Sequence, residues 1–119
     1  MFSERPSYGS SFPHILELPA DAVAFESAST NGKDFHYFSE YPSKKKIIIG
    51  GVSHTNGQVE TPNQVANLIC QALKHVDGKR LGVSTDCGFG REGLSRRIAY
   101  YKITALAEGA KLVRKELTG

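Results

Sequence analysis

Hydrophobic and polar positions divide this chain into alternating short apolar runs and helical stripes. The clearest run is Lys46–Val52, where Ile47, Ile48 and Ile49 follow one another without polar interruption. Such a run predicts a strand buried on both faces, the habit of parallel strands covered by helices. Ala20–Phe25, finishing at Glu26, and Leu81–Thr85 read as two further strands. Between the second and third lies a well-marked helix: Thr61 is a natural N-cap, Pro62 suits the first helical position and Gln64 completes a capping box. Val65, Leu68, Ile69, Ala72, Leu73 and Val76 then form one apolar stripe, and Asp77-Gly78 closes it.

A last helix is predicted from about Leu94 to Leu117, with Ile98, Tyr101, Ala105, Leu112 and Val113 on its inner side and Gly109 as a weak spot or close-packing point. Phe12–Leu18 predicts a short helix around Pro13, ended by Pro19, after an irregular stretch over residues 1–11. Ser27–Tyr41 is polar with scattered aromatics, Phe35, Tyr37, Phe38 and Tyr41. It reads as a loop carrying a short helix over the end of the sheet.

This order predicts an α/β fold with right-handed crossovers and parallel strands, either an open doubly wound sheet or consecutive units of a (β/α)8 barrel. Gly88-Phe89-Gly90-Arg91-Glu92-Gly93 has Gly-x-Gly-x-x-Gly spacing. It follows the last strand and has no later strand with an acidic partner, so it is rejected as a dinucleotide fingerprint.

With 119 residues, 39% hydrophobic and 23% charged, the chain is one domain or less and of soluble globular composition. The net charge of +3 is spread out, and Lys44-Lys45-Lys46 and Arg96-Arg97 are too short for a nucleic-acid footprint. No signal peptide or long apolar stretch is present, so neither nucleic acid nor membrane is expected as a partner. Cys70 and Cys87 do not make a disulfide scaffold, and a reducing cytoplasm is the expected location.

In parallel α/β folds reactive groups collect at the C-terminal ends of strands. Those ends carry Glu26 with Ser27, then Ser53, His54 and Asn56, then Asp86 with Cys87. Glu26 and Cys87 are both zinc-ligand types, on strands flanking the isoleucine strand. Two ligands are not a site, and residue types alone favour a half-buried cysteine and a loop carboxylate. His54 and Asp86 are candidates for the substrate side of the same mouth. His14, His36 and His75 read as surface positions, Cys70 as near-core, and Arg91, Arg96 and Arg97 as a solvated helix start. No Ser/His/Asp triad can be drawn, and no catalytic residue is assigned.

Glu60-Thr61-Pro62 with its helix, Val83-Ser84-Thr85-Asp86-Cys87-Gly88-Phe89-Gly90, and Ala99-Tyr100-Tyr101-Lys102 through Ala107-Glu108-Gly109-Ala110 resemble the C-terminal end of cobalamin-independent methionine synthase and its shorter relatives. Leu18–Ser27 resembles the preceding strand of the same barrel. The likeness runs from about Tyr8 to Leu117, and Asp-Cys-Gly is its most specific part. It implies the last three βα units of a (β/α)8 TIM-type barrel, a partial domain over 1–119.

It also implies a catalytic zinc with Glu26 and Cys87 among its ligands, and methyl transfer from a methyltetrahydrofolate-type donor to homocysteine. The family's His-x-Cys ligand pair has no counterpart in this sequence, which reads as starting just after it. The isolated chain is therefore expected to be inactive, and to pair with copies of itself or a partner chain that completes the barrel. The alternatives are a non-catalytic α/β association module and a thiol alkyl-transferase of the coenzyme M type.

Overall fold

The computed structural model describes residues 8–53, 58–86 and 95–118. Three strands, β1 (Ala22–Phe25), β2 (Lys46–Val52) and β3 (Leu81–Thr85), form one parallel sheet in the order β1-β2-β3. The isoleucine strand is central: Val23 pairs with Ile47 on one side, and Ile47 with Leu81 on the other. Ile47 and Ile49 are buried and Ile48 only partly so. Residues 50–52 are buried as well, so the expectation of two covered faces fails within the run only at Ile48. Alternation along the strand sets Ile48 apart from Ile47 and Ile49, because successive side chains point to opposite faces.

A short helix, α1 (Tyr37–Glu40), sits in the segment after β1, α2 (Pro62–Leu73) follows β2, and α3 (Arg96–Thr118) follows β3. The capping box starts α2 as the sequence predicts: Gln64 N donates to Thr61 Oγ1 at 3.1 Å, and Thr61 N donates to Gln64 Oε1 at 2.9 Å. The helix ends at Leu73, and Gly78–Arg80 forms a 3-10 turn whose Lys79 N donates to Asp77 Oδ1. Val65, Leu68, Ile69 and Ala72 are its buried face. The predicted β1 is shortened to Ala22–Phe25, because Lys45 Nζ donates to the carbonyls of Leu18 and Ala20 and holds that approach outside the sheet.

Phe12–Leu18 is not one helix. Two 3-10 turns, Gly9–Ser11 and His14–Glu17, flank a cis Phe12–Pro13 bond. Segments of three or four residues suit 3-10 geometry better than an α-helix that must first nucleate. Phe12 stacks on Phe25, Tyr37 and Tyr41 at centroid distances of 5.6, 5.0 and 5.8 Å. Phe35 and Phe38 are also buried. The scattered aromatics of the β1–α1 segment are thus a second part of the core, packed at the side of β1.

The inner face of α3 differs from the predicted stripe. Its buried residues are Lys102, Ala105, Gly109 and Val113, whereas Tyr101 and Leu112 are exposed. The helix is rotated so that Gly109 lies against α2. A Cβ there would come 2.5 Å from Val65 Cβ and 2.9 Å from the Pro62 carbonyl oxygen, so Gly109 is a close-packing point.

Candidate functional site

The C-terminal ends of the three strands converge on one hydrogen-bonded mouth. Asp86, directly after β3, ties it together. Its backbone N–H donates to Val52 O at 3.0 Å, continuing the β2–β3 ladder one step beyond the strand. Its carboxylate crosses the central strand and meets the segment after β1. Oδ1 accepts from Ser27 N at 2.8 Å and Ala28 N at 3.0 Å, and Oδ2 accepts from Ser29 N at 2.8 Å and Ser29 Oγ at 2.6 Å. Three successive amides around one carboxylate make an anion-satisfying nest, and the charge strengthens each bond.

Gly50 leaves the space for this crossing. A Cβ at position 50 would stand 1.8 Å from Asp86 Oδ1 and 2.9 Å from Asp86 Cα. The two glycines of β2 therefore have separate tasks, since a Cβ at Gly51 would meet Leu106 Cδ1 of α3 at 2.6 Å on the opposite face.

Ser53 directly follows β2 and joins the same mouth, with its Oγ 3.4 Å from Ser29 Oγ. Ser53 N donates to Glu60 Oε2 at 2.8 Å. Glu60 Oε1 accepts from Lys102 Nζ at 2.8 Å, and the same Nζ donates to Gln58 O at 2.8 Å. Lys102 is fully buried. A polar chain thus runs from α3 through the β2–α2 connection and the β1 loop to the end of β3.

Of the residues singled out from sequence, Glu26 lies half-buried at the end of β1, and its N–H donates to Tyr8 Oη at 3.3 Å. Asp86, expected on the substrate side, turns both carboxylate oxygens toward the β1 loop. Cys87 and His54 lie outside the described residues. Glu60 and Lys102 were not among the site residues expected from sequence. The available signal was a lysine at helical spacing between Ile98 and Ala105, with a carboxylate just before an N-cap.

Among the described residues, no three metal-binding side chains cluster. The donor chemistry nevertheless fits zinc in kind, one carboxylate in Glu26 and one thiol in Cys87, and falls short in number, since a catalytic zinc generally takes three protein ligands. Asp86, the residue before Cys87, is bonded to Ser27, the residue after Glu26.

Residues 5–111 match the model of the cobalamin-independent synthase catalytic domain. The chain belongs to the cobalamin-independent methionine synthase family. It is 34% identical over 105 residues to a methionine synthase of Saccharolobus islandicus, covering 88% of this chain and 31% of that protein. A methionine synthase of Thermococcus kodakarensis is 32% identical over 101 residues, covering 85% and 29%. The fold is similar to that of a B12-independent methionine synthase from Shewanella sp. W3-18-1, solved with selenomethionine. The TM-score is 0.84 at 30% identity, over 93% of this chain and 31% of that one. In this methionine-synthase-type chain the parallel strands and packed helices are units of the same barrel architecture. The chain spans about a third of the length of the curated relatives it matches.

Proposed function

We propose that this chain forms part of a zinc-dependent methyltransferase barrel that passes a methyl group from a methyltetrahydrofolate-type donor to homocysteine. The observation that carries the reading is the Asp86 clamp. It joins the segment after Glu26 to the segment before Cys87 across β2, at the end of the sheet where such chemistry sits. Glu26 and Cys87 are the zinc ligands contributed by this chain, and the remaining ligands come from outside it. Zinc bound there would keep the acceptor sulfur as a nucleophilic thiolate at neutral pH. Asp86 and Gly50 set the loop that follows Glu26, and Ser53, just after the middle strand, braces that loop.

The sequence carries no His-x-Cys pair to add to Glu26 and Cys87, and on this reading the isolated chain is inactive alone. The test is homocysteine methylation by the purified chain with zinc and a methyltetrahydrofolate polyglutamate. No turnover is expected, and zinc-dependent turnover would contradict the incomplete site.

A second reading, an association module, is favoured by one observation. Helix α3 exposes Tyr100, Tyr101, Ile103, Leu112 and Leu117, and β1 and β3 each have one sheet neighbour among the described residues. Self-association or a partner chain that completes the barrel covers these surfaces. Mass in solution by light scattering tests this: a mass above 13.0 kDa per particle is expected, and a monomer at all concentrations would exclude self-association.

A further inference from the structure

Lys102 stands out as a fully buried cation on a helix face otherwise made of small and apolar residues. Burying a charge is costly unless it is paired and hydrogen-bonded, and a well-packed apolar side chain would often be the more stable filling. Its bonds show what is gained. Nζ grips Gln58 O and Glu60 Oε1, both at 2.8 Å, while Glu60 Oε2 receives Ser53 N at 2.8 Å. Glu60 immediately precedes the Thr61 N-cap, so its backbone is held by the start of α2. Lys102 and Glu60 therefore fix both shoulders of the connection between β2 and α2.

The fixation extends further. Ser29 Oγ donates to Asp86 Oδ2 at 2.6 Å, so the 3.4 Å contact between the two serine hydroxyls has Ser53 as donor. We propose that Lys102 is a positioning residue for the mouth of the sheet: through Glu60, Ser53 and Ser29 it holds the loop after Glu26 in place. The proposal rests on the reading above only in taking that mouth as the site.

The test uses the purified, isotope-labelled full chain without metal. Glu60→Gln is nearly isosteric and keeps an acceptor while removing the charge; Lys102→Met keeps the bulk; Lys111→Met, in an exposed 3.9 Å pair with Glu108, is the control. In Glu60→Gln and Lys102→Met the amide resonances of Ser53 and of Ser27, Ala28 and Ser29 shift together. Ser53 amide exchange accelerates about tenfold or more, as expected for losing a charged hydrogen bond. The amides of Ile47 and Ile49 keep their exchange rates, and Lys111→Met changes none of these. Movement confined to Ser53–Glu60, or a uniform rise in exchange along the chain, overturns the proposal. Glu60→Gln alone decides if Lys102→Met does not fold. Because no metal is present, a failure of zinc binding would overturn the functional reading and leave this result standing.

Discussion

Gly50 and Asp86 show how one residue's lack of a side chain serves another's carboxylate. With a Cβ at position 50 only 1.8 Å from Asp86 Oδ1, Gly50→Ala must displace the clamp. Overpacking of this kind costs about 1–3 kcal/mol, which denaturant unfolding of the variant measures. Asp86→Ala strips the acceptor from the amides of Ser27, Ala28 and Ser29. We expect a loss of about 2–3 kcal/mol, because one buried and two partly buried donors lose a charged acceptor. Asp86→Asn keeps the shape and one oxygen acceptor and should lose less than Asp86→Ala; no loss in Asp86→Asn would mean that Asp86 matters for packing alone. None of this could be read from the sequence. The carboxylate and its donors are 57–59 positions apart, and only the parallel pairing through β2 brings them together. Sequence does mark Asp86 as a strand-end residue, while the direction its oxygens face is a product of the sheet.

At the scale of elements, local signals were decisive where the chain could satisfy itself nearby. The capping box of α2 spans four residues, Thr61 to Gln64, and stands as read, and β2 and β3 keep their predicted bounds. Thr61→Ala is expected to cost about 1 kcal/mol, visible as a lower unfolding midpoint. The inner face of α3 was less legible, because a lysine counts as exposed until its partner is known. Lys102 faces inward only because Glu60 waits at the start of α2. Gly109→Ala separates propensity from packing: alanine favours a helix by about 1 kcal/mol over glycine. A Cβ 2.5 Å from Val65 opposes that gain. We expect net destabilisation, and a more stable variant would contradict the close approach of α2 and α3. The aromatic side of β1 escaped prediction for a related reason. Phe12, Phe35 and Phe38 lack strand or helix periodicity and meet only once the turns around them are folded.

At the scale of the whole molecule, the polar mouth belongs to a chain whose relatives are roughly three times as long as the matched segment. No described helix is long and apolar enough to cross a membrane. The proposal that most needs testing is that Glu26 and Cys87 are both zinc ligands. Zinc affinity of the purified chain, measured by competition with a chromogenic chelator, tests it most directly when Cys87→Ser and Glu26→Gln are compared with the unaltered protein. The account predicts measurable binding by the unaltered chain and a loss of about tenfold or more in each variant, since each removes one direct ligand. Equal zinc affinity in all three proteins would contradict it.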